Sequence, residues 1–232
     1  MLGDFLEISL STRDILASIE FYRKLGFSEA PVGSTWRHPY TVMTDGRLYI
    51  GLHKREAATP ALSFVLPELS RRLPDLETLG IELTSCNIGL DQFNEISFLD
   101  PDGQSVTLLE ARTYSPVHSA HLPATLCGYF QEFRLSVRNR AASVRFWESM
   151  GFIISDEDAG SGAYAQASWG GINLGLSQAA RATPPEFVFS HPGLDEAIPF
   201  LEMRDLAVKE DAQGIRIATP EGLNLLLRPE EP

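Results

Sequence analysis

The sequence predicts an α+β protein of four βαβββ modules paired into two domains, and three observations carry that prediction. The segment EISLSTRDILASIEFYRKLGF, residues 7–27, returns as EFRLSVRNRAASVRFWESMGF, residues 132–152, identical at 9 of 21 positions without a gap. Unrelated segments would share about one. Further landmarks recur in the same order: ATP at 58–60 and 182–184, Pro74 and Pro199, and DPDG at 100–103 against TPEG at 219–222. Each half also reads strand, helix, strand, strand, strand, and then begins a second round.

In FLEISL, residues Leu6, Ile8 and Leu10 alternate with Phe5, Glu7 and Ser9, the period of a strand with one apolar face. STRD then supplies capping side chains, and Ile15, Leu16, Ile19, Tyr22 and Leu25 form an apolar stripe at helical spacing. Gly26 ends that helix, where a left-handed residue is wanted. Strands are expected around FSEAPV, YTVMTD and LYIGLHK. The second round has a strand at LSFVL, a helix over about 68–79 stopped by Gly80, and two strands joined through Asp100-Pro101-Asp102-Gly103. That tetrapeptide is a hairpin signal, because proline presets one dihedral and glycine accepts a positive one. Residues 113–128, TYSPVHSAHLPATLCG, lack periodicity and read as a linker.

Composition narrows the function classes. Hydrophobic residues make up 44% and charged residues 22% of 232, ordinary for a globular chain. A formal net charge of −12 argues against nucleic acid, whose phosphates need clustered Lys and Arg. No apolar run approaches the roughly 18 residues of a membrane span. The opening MLGDFLEISL lacks the basic start of a signal peptide. Cys86 and Cys127 are the only cysteines, which fits a cytoplasmic protein without a disulfide framework. The oligomeric state is left open.

With FYRKLGF, FWESMGF and FLDPDG in place, the chain resembles the vicinal oxygen chelate superfamily: glyoxalase I, bleomycin-resistance proteins and extradiol dioxygenases. The resemblance covers nearly the whole chain. It implies two glyoxalase-like domains, 1–112 and 129–232, each curling into a cup. In the enzymes of that superfamily a divalent metal sits in the cup on four side chains, usually His, Glu or Gln. The corresponding positions here are Glu7, Gly51, a residue near Ala61, and Thr107; in the second half they are Glu132, Gly175, a residue near Pro185, and Leu226. Each half keeps one carboxylate, whereas a transition metal needs three or four protein donors. The expectation is therefore no metal and no cofactor. His118 and His121 in the linker would supply only half a site.

The strand parity turns Phe5, Glu7 and Ser9 into the first cup, and Phe130, Glu132, Arg134 and Ser136 into the second. Arg134 is close enough along its strand to neutralise Glu132. The resemblance also places the fourth strand beside the first, with Tyr49, Gly51 and His53 on one face. Glu7 and His53 are then candidates for acid–base catalysis, since His titrates near neutral pH. Trp36, His38 and Tyr40, in STWRHPY, are candidates for a binding wall, and Thr107, Glu132 and Arg134 for ligand contacts. Trp169, Asn173 and Ser177 are weaker counterparts. The same pattern also fits carboxylates that merely face solvent or sit in ion pairs. Three functions follow: a metal-free binder of a small organic molecule, a metal-independent enzyme using Glu7 and His53, or a scaffold with vestigial cups.

Overall fold

Every module places its helix after its first strand. The computed structural model describes residues 2–32, 36–111, 125–155 and 163–230. Most of the expected linker, with His118 and His121, lies outside them. The first half runs β1 (Asp4–Ser11), α1 (Ile15–Lys24), β2 (Ser28–Ala30), β3 (Tyr40–Thr44), β4 (Tyr49–His53), β5 (Ala61–Leu66), a 3-10 turn (Leu69–Arg72), α2 (Leu73–Thr78), β6 (Leu83–Asn87), β7 (Glu95–Leu99) and β8 (Ser105–Glu110). The second runs β9 (Tyr129–Val137), α3 (Arg140–Ser149), β10 (Ile153–Ser155), β11 (Tyr164–Trp169), β12 (Ile172–Gln178), β13 (Glu186–His191), α4 (Leu194–Glu202), β14 (Val208–Asp211), β15 (Gly214–Ala218) and β16 (Asn224–Pro229).

Each half forms one eight-stranded sheet, and the two sheets share a strand order: β2-β3-β4-β1-β5-β8-β7-β6 and β10-β11-β12-β9-β13-β16-β15-β14. The α+β class and the four βαβββ modules are as the sequence predicts. In each sheet a parallel pair, β5 with β8 and β13 with β16, joins strands of a single module, and the antiparallel pairs β1–β5 and β9–β13 at the centre join the two modules.

The helices start where the capping residues place them. The Asp14 carboxylate accepts from the backbone N–H groups of Leu16 and Ala17, both at 3.1 Å, and Asn139 accepts from Ala142 at 3.1 Å. Such caps satisfy donors that have no partner inside the helix. The buried face of α1 includes Ser18 and Tyr22, followed by Leu25. Leu16, expected on that stripe, is 73% exposed. The helix begins only at Ile15, and Leu16 lies about 200° around the axis from Ser18 at 100° per residue, on the side away from the core.

By proximity the chain forms two compact units. One comprises Met1–Ser9, Ala58–Pro116 and Ser136–Ala182; the other comprises Leu10–Ala57, Val117–Leu135 and Thr183–Pro232. Each unit therefore packs a module of the first half with a module of the second. In the first, the DPDG hairpin docks on α3: Asp102 accepts from the Arg138 backbone N–H at 2.8 Å and from the Ser143 hydroxyl at 2.6 Å. In the second, the TPEG hairpin docks on α1, with the Tyr22 hydroxyl donating to Glu221 at 3.0 Å. Aspartate reaches the first turn of its helix. The longer glutamate reaches one turn further, because Tyr22 is four residues beyond Ser18, the residue matching Ser143.

The same hairpins differ at their first residue. Asp100 Oδ1 accepts from Asp102 N at 2.9 Å and Gln104 N at 2.8 Å, while the buried Oδ2 has no partner among the described residues. Burial pushes this carboxyl up to about 6, despite the backbone donors that pull the other way. A carboxyl raised in the folded state favours folding below its unfolded pKa, and that contribution is lost as pH rises through the folded value. The window is thus about pH 4–6.5, and the loss is about 3 kcal/mol at roughly 1.4 kcal/mol per unit. Thr219 does the same turn-closing work with a neutral hydroxyl, accepting from Leu223 N at 3.2 Å. Asp100→Asn and Asp100→Thr are expected to flatten the fall in urea stability between pH 4 and 7. An unchanged pH slope in both variants contradicts this assignment.

Candidate functional site

The register of the first sheet lines up one polar row. Glu7 on β1 pairs with Ser63 on β5, Ser63 with Thr107 on β8, Thr107 with Ser97 on β7, and Ser97 with Ser85 on β6. Directly opposed residues share a face, so these five side chains lie on one side of the sheet. The Ser9 hydroxyl donates to Glu7 Oε1 at 2.7 Å and lies 2.7 Å from Ser63 Oγ; Ser97 and Thr107 hydroxyls are 3.1 Å apart. Glu7 is 1% exposed. A carboxylate taken this far from water requires hydrogen bonds, and Ser9 supplies one of them.

A β-bulge between Phe5 and Glu7 corrects the expectation that they share a face. Phe5 pairs with Phe64, and the two rings meet edge-on at 5.6 Å on the apolar side. The extra residue in the bulge reverses the alternation, so Phe5 belongs to the core and only Glu7 and Ser9 face the polar row. The second half repeats the device: the register shifts between Val188 and Phe189, and Phe130 packs on Phe189 at 5.5 Å.

A second cluster surrounds His53, at the end of β4. His53 is 1% exposed, and its Nδ1 lies 2.9 Å from Nε2 of His38. The ring of Tyr40, its register partner on β3, is 4.5 Å away, and that of Trp36 is 5.2 Å away. The Arg55 guanidinium lies over Trp36 at 4.9 Å, a cation–π contact. Burial first, then the charges of His53 and Arg55, lower the pKa of His38. Trp36, His38, Tyr40 and His53 therefore come together as one aromatic cluster. Tyr49 and Gly51 share the face of His53 on β4 by alternation, opposite Thr44 and Val42.

The matching face of the second sheet is charged. Arg134 Nε donates to Glu132 Oε1 at 2.9 Å, so the expected neutralising pair is present. Arg216 on β15 donates to Glu186 at 2.8 Å and to Gln213 at 2.7 Å, and pairs with Asp211. The row level with Glu132 is Val188, Leu226 and Arg216. Trp169 is tied by its indole N–H to the Gly3 carbonyl at 2.8 Å. Asn173 and Ser177 flank Gly175 on β12, half-buried.

These rows also test the metal positions that the resemblance implies. The register makes Ser63, rather than Ala61, the β5 member level with Glu7 and Thr107. In the second sheet it makes Val188, rather than Pro185, the member level with Glu132. One carboxylate with neutral hydroxyls, or with Val and Leu, does not fit a divalent transition metal. Among the described residues no three His, Cys, Asp or Glu side chains converge. Ser63, Ser97, Glu186 and Arg216 were missed from sequence, because only the inter-strand register brings them level with Glu7, Glu132 and Arg134.

No protein-family model and no curated protein matches the sequence. Solved structures do match along nearly the whole chain. A catechol 2,3-dioxygenase is 14% identical, with a TM-score of 0.59, covering 99% of this chain and 90% of that one. A single-residue variant of homoprotocatechuate 2,3-dioxygenase from B. fuscum, in complex with HPCA, is 15% identical with a TM-score of 0.64, covering 97% and 71%. A Mn(II)-bound glyoxalase from Novosphingobium aromaticivorans is 12% identical with a TM-score of 0.63, covering 99% and 82%. The chain thus has the two-domain fold of these extradiol dioxygenases and of this glyoxalase.

Proposed function

We propose that the chain binds a small organic molecule over the Glu7–Ser63–Thr107 row of its first sheet, without a metal ion. The observation that carries this reading is the row itself. Hydroxyls stand level with one buried carboxylate, on register positions where metal ligands would be needed for dioxygenase or glyoxalase chemistry. Hydroxyls and a carboxylate recognise the hydrogen-bonding groups of an organic ligand, and the homoprotocatechuate dioxygenase of this fold is seen in complex with HPCA. A second reading, metal-independent acid–base chemistry, draws support from the His38–His53 hydrogen bond, which could carry a proton.

Catechol is a suitable probe. In chelator-treated protein, calorimetry should detect catechol binding that Glu7→Gln weakens about tenfold, the scale of one hydrogen bond to a charged group. Glu132→Gln should leave it within about twofold, because that carboxylate is held by Arg134. Equal losses in the two variants contradict the assignment. So does catechol binding that appears only after Fe2+ or Mn2+ is added.

A further inference from the structure

We propose that the second sheet carries a separate site for a small organic carboxylate, anchored by Arg134. The bond recorded for Arg134 runs from Nε to Glu132 Oε1 at 2.9 Å, and its side chain is only 17% exposed. Among the described residues Nη1 and Nη2 have no acceptor. The register partner of Arg134 is Glu186, the obvious alternative acceptor, yet Glu186 is drawn to Arg216 at 2.8 Å. Arg216 is in turn occupied by Glu186, Asp211 and Gln213. Neither Nη is among the buried polar atoms left without a partner, so both groups reach solvent and stand open to an acceptor from outside the chain. Its planar fork matches a carboxylate through two parallel hydrogen bonds, a geometry no ammonium offers.

The side chains level with Glu132 on the same face, Val188 and Leu226, are 2% and 0% exposed and bring no competing acceptor. The first sheet has no equivalent, since the residue matching Arg134 there is Ser9. The specificity therefore belongs to this copy of the repeat.

Benzoate and its neutral isostere benzamide test the site by calorimetry or ligand-observed NMR. Benzoate should bind saturably, with a dissociation constant of the order of 1 mM, and benzamide should not. Arg134→Lys keeps the charge but loses the fork, and should weaken benzoate about tenfold. Glu132→Gln removes the competing carboxylate and should tighten it several-fold. The double variant Arg134→Gln/Glu132→Gln removes both members of the ion pair, and should fold without binding benzoate. Glu7→Gln should leave benzoate binding unchanged, which separates this site from the catechol test. Equal binding of benzamide, retained affinity in Arg134→Lys, weakening by Glu132→Gln, or no saturable benzoate binding each overturns the proposal.

Discussion

Gly128→Ala is expected to destabilise the protein by about 2–4 kcal/mol, the scale of backbone strain added to a forced clash. Gly128 has a φ of +82° immediately before β9, and a Cβ there would sit 2.3 Å from the Ser190 carbonyl oxygen and 2.9 Å from His191 Cα. Both obstacles are backbone, so no side-chain rotation relieves them. Gly3 holds the matching place before β1, with a φ of +86° and the Val65 carbonyl oxygen at 2.3 Å, and Gly3→Ala should cost as much. Gly103 and Gly222 separate strain from clash: their φ is also positive, but a Cβ at either would meet nothing within 4 Å. Alanine there should cost only about 1–2 kcal/mol. Urea unfolding of the four variants makes the comparison. Equal losses at Gly128 and Gly103 would show that strand approach is not what demands the glycine.

Asp102→Ala should cost about 1–2 kcal/mol, because it removes the charged acceptor shared by the Arg138 backbone N–H and the buried Ser143 hydroxyl. The Asp102 side chain is 9% exposed and accepts from Arg138 N, Ser143 Oγ and, at 3.4 Å, Arg138 Nε. Ser143 is fully buried. Asp102→Asn keeps one acceptor oxygen and should recover about half the loss. Hydrogen exchange should quicken first in the opening turn of α3, where the hairpin is anchored. Stabilities of both variants within about 0.5 kcal/mol of the parent would show that the hairpin does not hold that helix.

The repeat made most of the fold legible. Capping residues, glycine stops and the two hairpins are local signals, and their duplication at matching spacing identified four modules without tertiary information. The bulge beside Glu7 left no such trace. Phe5, Leu6 and Glu7 alternate as a regular strand does, and only the pairing of Phe5 with Phe64 reveals the extra residue. Leu16 misled for a related reason, since its outward position depends on where the Asp14 cap starts the helix.

At the site, the Glu132–Arg134 pair was readable because both residues lie on one strand. The rows were not, because register sets them: Ser63 meets Glu7, and Glu186 meets Arg134, across strands distant in sequence. The capture of Glu186 by Arg216 joins residues 30 apart. It decides which guanidinium is left to bind, and alternation along single strands cannot supply it.

Native mass spectrometry of the freshly purified chain, with elemental analysis of the same sample, tests most directly whether this fold binds an organic ligand without a metal. The expected result is a mass excess that dissociates as a small organic molecule, with transition metal well below one equivalent. A chain carrying about one equivalent of zinc, iron, nickel or manganese per half after dialysis, the stoichiometry of a true ligand set, and no organic adduct, would contradict it.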